Sequence, residues 1–481
     1  MTLTPTLPTN VRAPAALIGE RRITGSGELM VTNPYTGTQL GSVAVADADL
    51  VDEAIRVAES ALAAWSRTAP AQRAATLRRT ADLVIERGAG IAGTVTAEMG
   101  MPITMALATQ RDMPAAVLRA MAAAIEAFRW SEPVDGAELH RVPAGVVAAI
   151  TPWNMPVHQI VAKVAAALGA GCPVVLKPSE ATPYDAELIR GCFIDAGVPA
   201  DAFAIVNGTG PITGAALTGA PGIAHISFTG SVRAGHAIAA AAATTLTRTT
   251  LELGGKSPAV VLPDADLASV IPRVFASGLV NSGQACNATT RLVLPAAAAG
   301  DAERLLVQAA QQVRLGDPAD PGTTHGPLSS LAHTERVLSH LGRARTDGAR
   351  FVVGTGTRES ATVSDCFIAP TVLADLPATA AAVREEIFGP VLVIQYYDDE
   401  ADAIQIANDT EYGLSAEVWS ASGEHAREVA RELEVGQVKI NGVRTRERPA
   451  VPFGGMKNSG YGRELGAVGL AEFTEIMAVM S

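Results

Sequence analysis

Apolar residues recur at three- and four-residue steps from Asp47 to Trp65, again from Ala71 to Glu98, and once more from Met113 to Arg129. That spacing matches the turn of an amphipathic helix, so the first part of the chain is expected to be helical. Afterwards the pattern changes to short β-branched runs, Val146 to Ile150, Val174 to Lys177, Ala204 to Val206, Ile223 to Phe228 and Thr249 to Glu252, separated by helical stretches. Alternation of this kind predicts an α/β unit built on a parallel sheet. A second series begins near Ser257, with strands expected at Ala259 to Leu262, Arg291 to Leu294, Val391 to Tyr396, Ser415 to Trp419 and Val435 to Ile440. Two stretches fit neither series, Glu132 to Arg141 and Phe473 to Met480. Such isolated edges seek partner strands, and both are expected to pair across a subunit interface.

A chain of 481 residues exceeds what one hydrophobic core supports, and 48% hydrophobic against 18% charged residues favours extensive burial over disorder. The formal charge of −12 argues against nucleic acid and anionic membranes as partners, because either needs a basic surface. Apolar runs such as Ala115 to Phe128 and Ile160 to Ala170 contain charges or glycine and fall short of the roughly 20 residues that span a bilayer, so no membrane segment is expected. Residues Met1 to Pro14 lack the charged start and apolar run of a signal peptide, which points to the cytoplasm. The cysteines at 172, 192, 286 and 366 show no metal-ligand spacing and are expected to be free thiols, with no metal bound.

Cys286 stands apart. It lies in Asn281-Ser282-Gly283-Gln284-Ala285-Cys286-Asn287, directly after an expected helix from Leu267 to Val280, where a thiol is reachable and close to backbone N–H donors. Such surroundings favour a nucleophilic thiolate, although a structural loop cysteine fits the same letters. In Leu251-Glu252-Leu253-Gly254-Gly255-Lys256 a lone carboxylate ends an apolar strand, where it suits a general base. A surface glutamate in a turn is the alternative. Gly255-Lys256-Ser257 mimics the end of a P-loop, but Thr250 stands where its first glycine belongs.

Thr151-Pro152-Trp153-Asn154-Met155-Pro156 holds an amide between two prolines after a strand, a rigid mount for an oxyanion donor or a simple turn. Lys177-Pro178-Ser179-Glu180 ends another strand with a cation and an anion, which suits ribose contacts or a surface ion pair. Phe228-Thr229-Gly230-Ser231 opens a helix near Val232, a position that favours phosphate. The dinucleotide glycine fingerprint is absent, Gly208, Gly210 and Gly214 being one residue out of register. Glu385-Glu386-Ile387-Phe388-Gly389-Pro390 adds a late acidic and aromatic pair.

Taken in order, Pro-Trp-Asn, Lys-Pro-Ser-Glu, Phe-Thr-Gly-Ser, Glu-Leu-Gly-Gly-Lys, Gly-Gln-x-Cys, Glu-Glu-Ile-Phe-Gly-Pro and Pro-Phe-Gly-Gly-x-Lys resemble the aldehyde dehydrogenase superfamily from about Asn33 to Ser481. The resemblance implies an aldehyde dehydrogenase-like α/β fold. Residues 1–124 and 145–255 would form the dinucleotide-binding domain, 256–455 the catalytic domain, and 125–144 with 456–481 a small β oligomerisation element of a dimer or tetramer. It makes Cys286 the nucleophile, Glu252 the general base, and Asn154 with the Cys286 backbone N–H the oxyanion hole.

The cofactor contacts implied are Thr151, Pro152, Trp153, Lys177, Ser179, Glu180, Gly210, Phe228, Thr229, Gly230, Ser231, Glu252, Leu253, Gly254, Glu386 and Phe388. Glu180 repels a 2′-phosphate, so NAD is expected and NADP is the alternative. The substrate is a small-molecule aldehyde met by Asn154, Met155, His158, Asn287 and Phe453. With Arg444, Arg446, Glu447 and Arg448 ahead of Phe453, the entrance is expected to be polar and roomy. Glu252 favours hydrolysis of the thioester over transfer to coenzyme A, and its presence with Cys286 argues against a non-catalytic binding protein.

Overall fold

A computed structural model describes residues 11–25, 27–358, 364–443 and 448–480. An eight-stranded sheet runs, from edge to edge, through Gly460–Tyr461, Arg248–Glu252, Ile223–Thr229, Val146–Ile150, Val174–Lys177, Phe203–Val206, Ala16–Ile18 and Arg21–Ile23. Its five central strands are parallel. Side chains on a strand alternate between faces, so Val147 and Ala149 pack with the helices Pro70–Glu86, Met113–Ala127 and Pro156–Ala170, while Val146, Ala148 and Ile150 face the helix Ala48–Ser66. Burial on both faces explains why these strands are continuously apolar in sequence.

A second, seven-stranded sheet follows the order Arg350–Val353, Thr371–Ala374, Val391–Tyr397, Thr289–Pro295, Ser257–Val261, Ser415–Trp419 and Gln437–Ile440. It too is parallel except at the first pair. Expected strands appear with ends shifted by a residue or two. The run from Ala71 to Glu98 divides at Arg87, where φ −90° and ψ 0° leave the helical track, giving Pro70–Glu86 and Gly88–Met99. The N-terminal part is not wholly helical: Ala16–Ile18, Arg21–Ile23, Glu28–Thr32 and Gln39–Ala44 are strands, the first two of them too short to show a period of two in the sequence.

The two orphan segments find each other. Thr474–Met480 pairs antiparallel with Ala137–Pro143 over its full length, and Ser131–Val134 pairs with the same strand from the other side. They pair first with each other within the chain, and the outer strands of this sheet are left as edges. No helix among the described residues is long and apolar enough to cross a membrane.

The C-terminal segment also returns to the first sheet. Gly460–Tyr461 forms its edge, and Glu464 meets Lys163 on the helix Pro156–Ala170 in a buried ion pair, with Lys163 fully buried and its Nζ also donating to Thr229 Oγ1 at 2.6 Å. Removing one partner of such a pair leaves an uncompensated buried charge. Glu464→Ala is therefore expected to destabilise the fold by about 3–5 kcal/mol. An unchanged denaturation midpoint would contradict this.

Candidate active site

Four parallel strands of the first sheet end at one rim and deliver Thr151, Lys177, Thr229 and Glu252 there. In an open α/β sheet this carboxyl-end rim is where ligands bind. Lys177 is buried and contacts Glu180 at 3.5 Å, and burial lowers its pKa against the opposing pull of Glu180. The Thr151 hydroxyl is buried without a hydrogen-bond partner among the described residues. Ser179 Oγ accepts the Ala181 N–H at 3.2 Å and shapes the turn between Lys177 and Glu180. Gly210 opens the helical turn Gly210–Gly214 beside the Lys177 stem and has free space over its Cα. Ser231 caps the helix Val232–Ala243, its Oγ accepting from the Ala234 N–H, while the Phe228 ring packs under Gly230.

Cys286 follows the helix Leu267–Gly278, shorter by two residues than expected because Asn281 and Ser282 turn into left-handed backbone at φ 53° and 56°. Side chains lock that turn. Asn281 Nδ2 donates to the Asn154 carbonyl at 3.0 Å, Asn154 Nδ2 donates to the Gln284 carbonyl at 3.0 Å, and Ser282 Oγ donates to the Gly326 carbonyl at 2.8 Å. Gln284 is itself held by Asn281 and by the Ser329 N–H. The Asn154 amide has two hydrogens. One is spent on Gln284, and its bond fixes where the other points.

Glu252 is 2% exposed and neither carboxylate oxygen has a hydrogen-bond partner among the described residues. Burial, reinforced by Glu464, raises its pKa well above the usual range, against Lys163 and Arg463. Burial likewise raises the Cys286 thiol to about 12, with Glu386 and Glu252 adding to the effect and the Asn287 N–H opposing it. Glu386 accepts the Gly255 N–H at 3.1 Å, packs against Gly254, and is raised by burial to about 7. Leu253 is tied back by its N–H to Ser459. Trp153 meets the Phe388 ring edge-on at 5.6 Å, and His333, which no motif announced, completes that aromatic group by donating to the Phe388 carbonyl at 2.7 Å.

A cavity of about 590 Å³ reaches Cys286. The expected Asn154, Met155, His158, Asn287 and Phe453 all line it. Burial beside Lys163 lowers the His158 pKa to about 4. The polar entrance needs correction: Met105, Met113, Met155, Leu279, Val280, Phe453 and Leu465 make much of the wall apolar, with polar groups such as Thr109, Ser277, Glu417 and Lys439 set among them. Arg444, Arg446 and Glu447 lie outside the described residues, and Arg448 is exposed and not part of the lining. Lys163, Glu464, Glu417, Lys439 and His333 escaped sequence reasoning. Each gains its place through a partner far away in the chain.

A cavity-lining cysteine whose loop is held by a fixed amide, a carboxylate without a hydrogen-bond partner among the described residues and a strand-end rim form an arrangement able to support oxidation through a covalent thiol adduct. The aldehyde dehydrogenase family matches residues 23–479, and the chain belongs to that family. It is 41% identical to 3-succinoylsemialdehyde-pyridine dehydrogenase from a Pseudomonas species, with 95% of each chain covered. To geranial dehydrogenase from Castellaniella defragrans it is 39% identical, over 93% of this chain and 94% of that one. Among solved structures it matches aldehyde dehydrogenase C from Pseudomonas syringae, a mutant in complex with NAD⁺ and octanal, at TM-score 0.95 and 40% identity, covering 97% of this chain and 96% of that one.

The close approach of the Glu252 and Cys286 segments is testable. A methyl group on Gly255 would fall 2.6 Å from the Cys286 carbonyl oxygen, so Gly255→Ala must displace the cysteine loop. It should lower aldehyde turnover by about tenfold or more, the sensitivity of a positioned nucleophile to small shifts. Gly90→Ala, in open space on a helix, should retain turnover. Equal turnover in both variants would refute the constraint.

Proposed function

We propose that Cys286 attacks an aldehyde, that the resulting oxyanion is held by Asn154 Nδ2 and the Cys286 backbone N–H, and that Glu252 activates the water that releases the acid. The observation that carries this reading is the Asn154 amide clamped onto the loop of Cys286, together with a Glu252 carboxylate that has no hydrogen-bond partner among the described residues. The sulfur forms a bond to the aldehyde carbon, and the carbonyl electron pair moves to the oxygen. Loss of hydride from that carbon gives a thioester. Water, losing a proton to Glu252, adds to the thioester carbon, and the C–S bond breaks to restore the thiol. The thiol first gives its proton to Glu252, which passes it to solvent, and a carboxylate whose basicity burial has raised suits both that removal and the later one from water.

The residues fit a dinucleotide as cofactor: a buried Lys177, an orphaned Thr151 hydroxyl, open space at Gly210, a helix start at Ser231 and a carboxylate at Glu386. Bound NAD⁺ supplies the hydride acceptor. Glu180 at the Lys177 rim disfavours a 2′-phosphate, and the neighbour solved with NAD⁺ supports the same choice, with NADP⁺ the alternative. Transfer of the acyl group to coenzyme A is the second reading; Glu252, buried and without a hydrogen-bond partner among the described residues, favours water.

The sheet of Ser131–Val134, Ala137–Pro143 and Thr474–Met480 supports a homo-oligomer, dimer or tetramer, because Ile476, Met477, Val479 and Met480 are exposed on its edge strand. In this reading residues 1–124 and 145–255 bind the dinucleotide, 256–455 carry the nucleophile, and 125–144 with 456–481 join the subunits. Four free thiols suit a reducing, cytoplasmic setting.

Cys286→Ala should abolish NAD⁺-dependent aldehyde oxidation, and steady turnover above background would sink the assignment. Glu252→Gln should keep a first-turnover burst of reduced cofactor but slow its steady release of acid. Turnover should fall as pH drops through the raised pKa of Glu252, since only its ionised form accepts a proton. Because Glu464 adds to that shift, Glu464→Gln should move the acid limb to lower pH; movement to higher pH in a pH–rate profile would contradict it.

A further inference from the structure

The substrate cavity contains a cation that the chemistry above does not use. Lys439, on the strand Gln437–Ile440, has a side chain only 14% exposed and lines the cavity that reaches Cys286. Its Nζ lies 3.5 Å from the carbonyl oxygen of Asn287, the residue after the nucleophile, and 4.0 Å from Glu417 Oε1. Both contacts are long for an ammonium, whose hydrogen bonds to oxygen usually lie near 2.7–2.9 Å. Glu417 is committed elsewhere: it accepts from Ser277 Oγ at 2.6 Å, Thr289 Oγ1 at 2.8 Å and Trp419 Nε1 at 3.0 Å. Three donors therefore hold Glu417 in place without the lysine.

We propose that Lys439 is a specificity-determining residue that binds a second oxygen acceptor, a carbonyl or a carboxylate, carried on a short chain from the aldehyde carbon. An ammonium has three donors, and a largely buried one gains most from an acceptor that replaces lost water. Its position beside Asn287 puts that acceptor near the reacting carbon, on the substrate side of Cys286. The remaining charges of the cavity do not compete for the role. Glu464 is occupied by Lys163, and Arg273, exposed at the rim over the Trp419 ring, adds positive charge without a carboxylate partner among the described residues. The apolar wall of Met105, Met113 and Phe453 accommodates whatever hydrocarbon the substrate carries beyond the acceptor.

This inference rests on the proposed aldehyde oxidation and names its substrate class. The test compares kcat/KM for pentanal, levulinaldehyde and succinic semialdehyde, which offer no acceptor, a neutral carbonyl and a carboxylate. In the wild type at least one acceptor-bearing aldehyde should exceed pentanal. In Lys439→Met the ratio of that substrate to pentanal should fall about tenfold or more, chiefly through KM, as befits a charge-assisted hydrogen bond lost from binding. A fall for both acceptor substrates supports general acceptor binding, and a fall for succinic semialdehyde alone narrows the class to carboxylates. Lys439→Gln, which keeps a donor without the charge, should restore part of the levulinaldehyde ratio and serves as the measured variant if Lys439→Met does not fold. Unchanged ratios in a wild type and variant that both oxidise pentanal overturn the inference alone. A wild type that oxidises none of the three overturns the proposed function with it.

Discussion

Two amide hydrogen bonds crossing between Asn154 and the loop of Cys286 hold the candidate site together. Asn154 belongs to the rim of the first sheet, and Asn281 and Gln284 to the segment that feeds the second. All three side chains are buried, so breaking either bond would strand polar groups away from water. The left-handed backbone of Asn281 and Ser282 is uncommon for residues with a side chain and persists because the surrounding bonds determine it. Cys286 is therefore located by the mutual fit of two α/β units, rather than by its own loop.

The electrostatics of that location are demanding. Glu252, Glu386 and Glu464 all act on the thiol in the direction that disfavours a thiolate. Lys163 is the compensating charge deep in the first unit, and it is shared with Thr229, which in turn donates to Gln159. Ionising Cys286 is consequently coupled to the protonation of its carboxylate neighbours, and proton position is a property of the group.

Much of the architecture was legible in the sequence because burial on both faces forces unbroken apolar runs such as Val146 to Ile150. The N-terminal strands were not, since Ala16–Ile18 and Arg21–Ile23 span too few residues for any period to show. Cys286, Glu252 and Asn154 were marked by rigid or flexible neighbours, prolines and glycines, that survive as letters. Glu464 and Lys163, 301 residues apart, carry no such mark. The same holds for Glu417 and Lys439, which adjoin only because neighbouring strands set Glu417 against Lys439 in register. Apolar cavity walls were misjudged for a related reason: Met105 and Met113 come from a helical region that sequence order places far from Cys286.

The return of the C-terminal segment has a temporal side. A polypeptide is made from its N-terminus, so the first sheet can assemble while the strand Gly460–Tyr461 and the carboxylate of Glu464 are still to be synthesised. Until they arrive, Lys163 lacks its partner and Glu252 lacks the neighbour that raises its basicity. A nascent chain thus holds Lys163, Glu252 and the Cys286 thiol before Glu464 joins them, and the segment from Gly460 to Glu464 completes the charge group as well as the sheet.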